Sequence, residues 1–487
     1  MHKSGYMPLI EALQKNKKRN TVPFHMPGHK KGQGIHHSFA RLMKTAPFAL
    51  DVTELPGLDD LHNPAGPIKE SQMRAARVFG ADRTFFLING STVGIHAALL
   101  SVCRRGEEVL LPRDMHRSVI GACILGGLKP RYLPVQLDPE YLVPYPPATE
   151  EITAMLQRYP KIRAIFQVYP SYYGLAGKML EVAEVAHRCN IPLIVDEAHG
   201  AHFVFTDELP QTALQSGADI SIQSTHKTLG AFTQASMLHV KSKIVDYSTI
   251  ARQLGILQST SPSYLLMASL DAVTGHMEVS GKHLMDNSLR IARYIREQIK
   301  EIPGIKCFGE SVSGLSSMIA VDPTKIYISL SNLGLSGYQA AEILLKKHRI
   351  QVELCDRFCI LCMLSIGSSF DDADRLVNAL TDIASKAIPV YGKPIMPGPV
   401  NIPSPRVILN PEEAWFAPLR QVLLKEAVGE VAGELIAPYP PGIPLLCPGE
   451  MITNEIVDLI CELKAWDCMF HGFSDPAMLT IKVVDRF

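Results

Sequence analysis

The stretch SIQSTHKTLGAFTQASML, from Ser221 to Leu238, places a lysine directly after a run that is typical of a buried strand. An ordinary lysine lies in solvent, because a buried ammonium ion without a partner is destabilising or loses its proton. Lys227 is therefore either an outward-pointing loop lysine or a desolvated amine that bonds to a carbonyl cofactor, a role that suits its flexible stem and movable pKa. The rest of the sequence has to decide between the two.

The composition indicates a large globular protein that acts through a local pocket. At 487 residues the chain can form two or three domains. Lysine plus arginine and aspartate plus glutamate each number 48, so the formal net charge is zero, which favours neither nucleic acid nor an anionic membrane as a partner. The N-terminal stretch MHKSGYMPLIEALQKNKKRN has no signal-peptide pattern, and no apolar run is long enough to span a bilayer. We therefore expect a cytoplasmic or organelle-stroma enzyme.

Short apolar runs alternate with helical periods from residue 84 onward. A helix starting at Ser91 or Thr92, which could cap it, is predicted after the first run. This alternation predicts an α/β fold with a mainly parallel sheet, in which ligands bind beyond the carboxyl ends of the strands. The strand-like runs are TFFLING (84–90), EEVLLPRD (107–114), AIFQVYP (164–170), IPLIVDEAHG (191–200) and ADISIQS (218–224).

Changes of pattern predict the domain boundaries. We expect an N-terminal segment over 1–60, a large domain over 61–285 and a smaller α+β domain over 286–388, which starts with the helix-like LRIARYIREQIKEI. The stretch 389–405 contains six prolines, which cannot continue a helix or a central strand and so predict a linker. Residues 406–487 are then expected to form a C-terminal α+β domain.

Polar residues follow three of the predicted strands. Ser91 and Thr92 lie at a helix start, where free N–H groups and the helix dipole favour a phosphate, although a plain cap is the ordinary alternative. Asp196 ends an apolar strand, where a carboxylate needs a cationic partner. Ser224 and Lys227 follow the next strand. Together they match the needs of pyridoxal 5′-phosphate: a phosphate site, an acid that keeps the pyridine nitrogen protonated and a lysine for the aldehyde.

Motifs along nearly the whole chain resemble those of the ornithine/lysine/arginine decarboxylase family, which has the aminotransferase-like fold known as fold type I. The resemblance implies a pyridoxal-phosphate-dependent enzyme that converts a basic L-amino acid to a polyamine-precursor amine and CO2. It is closest to the short form of Gram-positive bacteria and cyanobacteria, which has no N-terminal receiver-like domain. The motifs are FHMPGHKKG (24–32), DVTELPGLDDLHNPAGPI (51–68), NGSTVGIHAAL (89–99), VDEAHGAH (195–202), the opening stretch, LQSTSPSY (257–264) and YPPGIPLLCPGE (439–450).

The resemblance implies a role for each matching residue. Lys227 would hold the cofactor aldehyde, Asp196 would pair with the pyridine nitrogen and His116 would stack on the ring, although His116 read alone is an ordinary surface histidine. Thr260 is expected to reach the phosphate of a second subunit, which predicts a homodimer with active sites at its interface. Contacts with the phosphate or the cofactor edge are further expected from Ser91, Thr92, His199, Ser224 and His226.

The distal cation of a basic substrate requires an acidic partner in a protein pocket, because only a carboxylate replaces its lost hydration well. The stretch QVELCDRFCILCMLSIG (351–367) offers Glu353 and Asp356, and the resemblance implies that Glu353 meets the distal nitrogen. The ordinary alternative is a pair of exposed acids at a strand edge. Arginine, lysine and ornithine all satisfy this logic, and arginine is favoured because short members of the family often take it.

Three other functions are open at this point. Cys355, Cys359 and Cys362 have the C-x3-C-x2-C spacing of the iron–sulfur ligands in radical S-adenosylmethionine enzymes, but CILCMLSIG alternates like a strand, whereas a cluster needs a loop. An aminotransferase would share the cofactor residues. An inactive, antizyme-like regulatory protein would not need Lys227 and Asp196 together. We expect reduced cysteines and no metal.

Overall fold

The computed structural model describes residues 5–44, 46–309, 317–387, 405–439, 441–466 and 468–485. The chain divides into two compact units. The first unit consists of residues up to Ser101 together with Ile194–Met285, and the second of Val102–Leu193 together with residues from Asp286 onward. The predicted linker over 389–405 lies outside the described residues, apart from Pro405.

The helices and strands have the following bounds. The α-helices are α1 (Pro8–Lys18), α2 (His37–Met43), α3 (Ala46–Leu50), α4 (Pro67–Phe79), α5 (Gly90–Val102), α6 (Arg117–Gly126), α7 (Thr149–Arg158), α8 (Met179–Arg188), α9 (Thr225–Thr228), α10 (Tyr247–Leu257), α11 (Tyr264–Lys300), α12 (Gly337–His348), α13 (Phe370–Lys386), α14 (Pro411–Phe416) and α15 (Asn454–Ala465). The strands are β1 (Arg83–Leu87), β2 (Glu108–Pro112), β3 (Lys129–Leu133), β4 (Ile162–Val168), β5 (Leu175–Gly177), β6 (Leu193–Asp196), β7 (Ile220–Gln223), β8 (Ser236–Val240), β9 (Lys306–Cys307), β10 (Met318–Val321), β11 (Lys325–Ser329), β12 (Leu354–Cys355), β13 (Cys359–Met363), β14 (Leu419–Leu423), β15 (Ala437–Pro438), β16 (Phe470–His471) and β17 (Thr480–Val484).

The first unit contains strands in the order β1-β8-β7-β6. β6 and β7 are parallel, whereas β8 is antiparallel to both β1 and β7. Each of these strands is almost fully buried, and apolar residues predominate in their sequences. The strands predicted from TFFLING, IPLIVDEAHG and ADISIQS are confirmed.

Helix α5 begins one residue earlier than predicted. It starts at Gly90, so Ser91 and Thr92 lie in its first turn. The prediction that one of these two residues caps the helix is therefore wrong. The physical reason is that Gly90 adopts a φ of 72° and donates its N–H to Gln234 O at 3.0 Å, a turn that glycine makes without strain. Gly94 then lets the helix approach the sheet closely, since a Cβ there would lie 2.6 Å from Leu87.

A buried carboxylate fixes the N-terminal helix of the first unit. Asp271 Oδ2 accepts hydrogen bonds from the backbone N–H groups of Leu9 and Ile10, both at 3.0 Å, and its Oδ1 accepts one from Ser71 Oγ at 2.5 Å. The two backbone donors, Leu9 and Ile10, belong to the first turn of α1, whose N–H groups have no partner within the helix. Asp271 therefore caps α1 from α11.

The second unit contains parallel strands in the order β4-β2-β3 and a separate antiparallel sheet in the order β12-β13-β11-β9. The strands predicted from EEVLLPRD and AIFQVYP are confirmed as β2 and β4. One hydrophobic core of this unit combines residues of β11, β13, α12 and α13, and another combines α15 with β17. The prediction of an α/β fold with a mainly parallel sheet is thus confirmed. The domain boundaries inferred from the sequence remain predictions.

Candidate active site

Lys227 follows β7 on the short helix α9, in the first unit. Its side-chain Nζ lies 2.9 Å from His199 Nε2, and its backbone N–H donates to Ser224 O at 2.9 Å. Residue 227 is exposed, whereas His199 is buried. The expectation of a desolvated amine is therefore not met in the single chain. The exposure of Lys227 leaves space around its Nζ, and the contact with His199 orients this amine.

Asp196 ends β6 and is only 6% exposed. Its Oδ1 accepts a hydrogen bond from the Ala198 N–H at 3.0 Å, and among the described residues the carboxylate has no other hydrogen-bond partner. Burial raises its pKa, while the positive charge of Lys227 and the Ala198 N–H act in the opposite direction. A buried carboxylate in this state is stabilised by a cationic N–H donor. The site therefore suits a protonated ring nitrogen.

Three serine hydroxyls come together at the N-terminal end of α5. Ser91 Oγ lies 2.6 Å from Ser224 Oγ and donates to Ser236 Oγ at 3.3 Å. The buried Thr225 Oγ1 has no hydrogen-bond partner among the described residues. Hydroxyls beside the free N–H groups of a helix start form a setting that suits a phosphate. Ser236 was missed by the sequence analysis, where it was one more small residue within a strand.

Two glutamines hold the turn that leads into α5. Gln258 Oε1 accepts from the Ile88 N–H at 2.8 Å, and Gln234 Nε2 donates to Ile88 O at 2.7 Å. Gln234 itself has a φ of 84°, an uncommon conformation that persists only where the surroundings fix it. Neither role could be predicted from the sequence, because Gln234 and Gln258 lie more than 140 positions away from Ile88 in the chain.

His226 and Thr260 lie in different settings within the first unit. His226 Nδ1 lies 2.9 Å from Ala235 O, and burial lowers the pKa of its ring. Because a carbonyl only accepts, Nδ1 carries the proton of the neutral ring, and Nε2 can donate to a phosphate only after a second proton binds. Thr260 is exposed in the loop between α10 and α11. Thr92 is also exposed, on the first turn of α5.

His116 belongs to the second unit and caps α6. Its Nδ1 accepts from the Ser118 N–H at 3.2 Å and lies 2.8 Å from Ser118 Oγ. The YPPGIPLLCPGE motif packs against this histidine, because the Arg117 N–H donates to Gly442 O at 3.1 Å and a Cβ on Gly442 would lie 3.4 Å from the His116 ring. The stacking of His116 on a cofactor remains a prediction.

A buried ion pair connects the end of the EEVLLPRD run to the end of the YPPGIPLLCPGE motif. Arg113 Nη1 lies 2.8 Å from Glu450 Oε1, and Arg113 Nη2 donates to Glu450 Oε2 at 2.9 Å and to Leu445 O at 3.0 Å. Both side chains are at most 3% exposed, so breaking this pair is expected to be strongly destabilising. The pair could not be predicted from the sequence, because its two residues are 337 positions apart in the chain.

Glu353 and Asp356, both in the second unit, differ in what holds them. Glu353 is exposed, and Tyr172 Oη donates to its Oε1 at 2.6 Å. Asp356 instead stabilises the turn between β12 and β13: its Oδ1 accepts from the Phe358 and Cys359 N–H groups, both at 2.8 Å, and Tyr327 donates to Oδ2. Burial raises the pKa of Asp356, and these hydrogen bonds lower it. Glu353 is thus the more available acid.

The three cysteines of the iron–sulfur alternative do not converge. Cys359 and Cys362 both lie on β13, three positions apart, so they point to opposite faces of the strand. Cys355 pairs in register with Ile360. Across the part of the chain that the structure describes, no group of three His, Cys, Asp or Glu side chains is placed to bind a metal. None of the described helices is both long and apolar enough to span a bilayer.

Family models match most of the chain. The model for "Orn/Lys/Arg decarboxylase, major domain" matches residues 7–372, and the model for "Orn/Lys/Arg decarboxylase, C-terminal domain" matches residues 402–477. An arginine decarboxylase of Bacillus anthracis is 35% identical over 99% of this chain and 97% of its own length. An arginine decarboxylase of Bacillus subtilis is 36% identical over 98% of this chain and 97% of its own length.

Solved structures show the same fold. A lysine decarboxylase of Francisella novicida superposes with a TM-score of 0.84 at 21% identity, covering 98% of this chain and 81% of that chain. A ureidoglycine–glyoxylate aminotransferase of Bacillus subtilis reaches a TM-score of 0.55 at 13% identity and covers 72% of this chain and 91% of that chain. The prediction of an aminotransferase-like fold is confirmed. Taken with the two family models and the full-length arginine decarboxylase matches, this shows that the chain is a carboxy-lyase and belongs to the ornithine/lysine/arginine decarboxylase family.

Proposed function

We propose that this protein decarboxylates L-arginine in preference to lysine or ornithine, releasing CO2 and the amine that serves as a polyamine precursor, with pyridoxal 5′-phosphate as its cofactor. The observation that carries the proposal is the buried Asp196 carboxylate, which accepts one hydrogen bond and whose pKa is lowered by the positive charge of Lys227 against the effect of burial. The names of the two Bacillus relatives support arginine.

The residues of the first unit fit the cofactor. Lys227 would hold its aldehyde carbon, and Asp196 would keep a proton on the pyridine nitrogen. Ser91, Thr92, Ser224, His226 and a partner subunit's Thr260 would bind the phosphate, and His199 would contact the cofactor edge. When bound, pyridoxal phosphate supplies an electron sink for the electron pair that remains after CO2 leaves.

His199 and Lys227 form a proton-handling pair in this proposal. The 2.9 Å contact between Lys227 Nζ and His199 Nε2 allows the histidine to accept from the ammonium group. This contact fixes the position of the lysine amine and gives its proton a route to the His199 imidazole. Burial raises the pKa of Asp196, so a bound cationic partner would favour its ionised form.

Glu353 would select the substrate by its distal cation, with Asp356 as the weaker candidate. The hydrogen bond from Tyr172 occupies Oε1 of Glu353, so Oε2 is the oxygen that would face a guanidinium or ammonium group. Asp356 has both oxygens engaged within the hairpin. This difference supports Glu353 as the specificity residue.

We further propose a cytoplasmic homodimer with active sites at the subunit interface. Support comes from the N-terminal segment of the first unit, where large apolar side chains lack cover in the single chain. Phe24 is 94% exposed, and Val22 and Leu42 are each 77% exposed. Large apolar side chains that are exposed in one chain become covered where they contribute to an interface, which is the role proposed for these three.

The test begins with the absorption spectrum of the purified protein, which we expect to be yellow. Borohydride reduction and peptide mapping should place the pyridoxyl group on Lys227, and labelling of another lysine, or of none, would refute the proposal. Product analysis with arginine, lysine and ornithine should show CO2 and the amine. A keto acid product would instead indicate the aminotransferase alternative, and stoichiometric iron with acid-labile sulfide would indicate the radical S-adenosylmethionine alternative.

A further inference from the structure

A polar network lies within the sheet of the first unit, next to the candidate active site but not part of it. Its central residue is Glu197, which is fully buried. The Glu197 carboxylate accepts three hydrogen bonds, from the Ala213 N–H at 2.8 Å, from Ser221 Oγ at 2.5 Å and from Gln223 Nε2 at 2.9 Å. A fully satisfied carboxylate of this kind fixes the groups that surround it.

The network extends across the strands through neutral groups. Gln223 Oε1 lies 3.1 Å from His239 Nε2, and His239 Nδ1 lies 2.8 Å from Thr84 Oγ1. Burial lowers the pKa of His239 to about 3, so the ring is neutral at physiological pH. Glu197 is therefore connected to β7, β8 and β1 through groups that are themselves neutral, whereas burial raises the pKa of the Glu197 carboxyl to about 7.

The register of the strands separates this network from the cofactor face. Asp196 pairs with Ile222, and Ser221 pairs with Val195, so Ser221 and Gln223 project to the face opposite Asp196. Glu197 comes one residue after Asp196 and therefore shares the face of Ser221 and Gln223. Along β7, residue 223 is followed at once by Ser224.

We propose that Glu197 is a positioning residue, which sets the spacing between Asp196 and Lys227 by joining the end of β6 to the end of β7. The Glu197 N–H also donates to Ile222 O at 2.9 Å, so both the backbone and the side chain of this residue cross the gap between the two strands. A carboxylate acceptor for three donors at a strand end holds two neighbouring strand ends at one separation, which an apolar side chain cannot do. The inference rests on the proposed pyridoxal phosphate chemistry.

The matched control is Asp271, a second buried carboxylate in the same unit. It also accepts three hydrogen bonds, two from backbone N–H groups and one from a serine, but these fix α1 and not the ends of β6 and β7. A substitution there therefore reports the loss of a buried carboxylate as such. Glu197→Gln and Asp271→Asn each remove a charge and one acceptor from a closely similar setting.

The test measures the dissociation constant of the full chain for pyridoxal phosphate and its melting temperature with and without the cofactor. We expect Glu197→Gln to weaken cofactor binding at least about tenfold and to reduce the rise in melting temperature that the cofactor produces. Asp271→Asn should lower the melting temperature equally in both states and leave the dissociation constant within about twofold of wild type. Ser221→Ala, which removes one donor but keeps the carboxylate, should weaken binding by a smaller factor and covers the case in which Glu197→Gln does not fold.

The outcomes separate this inference from the proposed function. A wild-type chain that binds no pyridoxal phosphate would overturn the proposed function and the inference together. A wild-type chain that binds it, with unchanged affinity in Glu197→Gln or Ser221→Ala, would overturn the inference alone. Equal weakening by Asp271→Asn would also overturn it, because the effect would then belong to any buried carboxylate of the unit.

Discussion

The regions around Asp196 and around Glu353 each contain a carboxylate, but one carboxylate is buried and the other is exposed. Asp196 is buried at a strand end and keeps one hydrogen-bond donor, so its negative charge demands a cation. Glu353 is exposed beside a short hairpin and is held by Tyr172, so water already stabilises its charge. A carboxylate that must hold a proton on a cofactor needs the first environment, and one that must exchange substrates needs the second.

This contrast predicts that substitutions in the buried region affect catalysis itself, whereas those in the exposed region affect discrimination between substrates. The expected effects also differ in size. Charge interactions within a buried site are strong, and those at an exposed site are weakened by solvent screening.

The largest effect is expected for Lys227→Ala. Without the amine, the cofactor loses its covalent anchor and the site loses its proton-handling pair with His199, so kcat should fall at least about ten-thousandfold, roughly 5.4 kcal/mol in barrier. Steady-state kinetics with arginine measures the loss, and mass spectrometry after borohydride reduction should find no pyridoxyl label. Activity close to wild type would show that Lys227 does not have the proposed catalytic role.

Asp196→Asn is expected to be the next most severe change. A neutral amide cannot hold the ring proton, so the electron sink weakens and kcat should fall at least about a hundredfold, roughly 2.7 kcal/mol. The cofactor should still bind, which absorption spectroscopy can check. Near-normal turnover would show that the raised pKa of Asp196 belongs to a merely structural acid.

Glu353→Gln should mainly lower kcat/KM for arginine, by about thirtyfold or roughly 2 kcal/mol. This is less than the loss for a fully buried charge pair, because Glu353 is exposed in the single chain. The decisive measurement is discrimination between arginine and norleucine, which has no distal cation and should be affected little. Asp356→Asn is the matched control and should reduce stability without reducing discrimination; the opposite pattern would assign the substrate cation to Asp356.

The smallest effect is expected for Tyr172→Phe. Loss of its hydrogen bond frees the Glu353 carboxylate to rotate, and kcat/KM for arginine should fall about fivefold, roughly 1 kcal/mol. In a Glu353→Gln background the same change should have almost no further effect, since the two groups act through one contact. Tyr145→Phe, which removes a similar tyrosine donor to Asp138, is the control and should leave discrimination unchanged. Additive losses in the double variant would break the proposed link between Tyr172 and Glu353.

Much of the fold was predictable because local pattern and tertiary structure agree in it. The runs that became β1, β2, β4, β6 and β7 are mostly apolar, which is typical of strands that are buried in the middle of a fold. The start of α5 was misplaced because Gly90 enters the helix through a bond to Gln234, which is distant in sequence. No local rule contains that partner.

In the candidate site, too, some features could be predicted from the sequence and others could not. Residue type and position in the sequence were enough to predict the candidate site residues, since a lysine, an acid and small hydroxyl residues after successive strands stand out against mostly apolar runs. How these residues are held is visible only in the folded chain, where Ser236 lies beside Ser91, Glu197 bridges β6 and β7, and Tyr172 holds Glu353. The physical reason is that residue type and spacing determine which reactions a side chain can take part in and which secondary structure the chain forms. A hydrogen bond between distant segments forms only after folding has brought its donor and acceptor atoms within about 3 Å of each other.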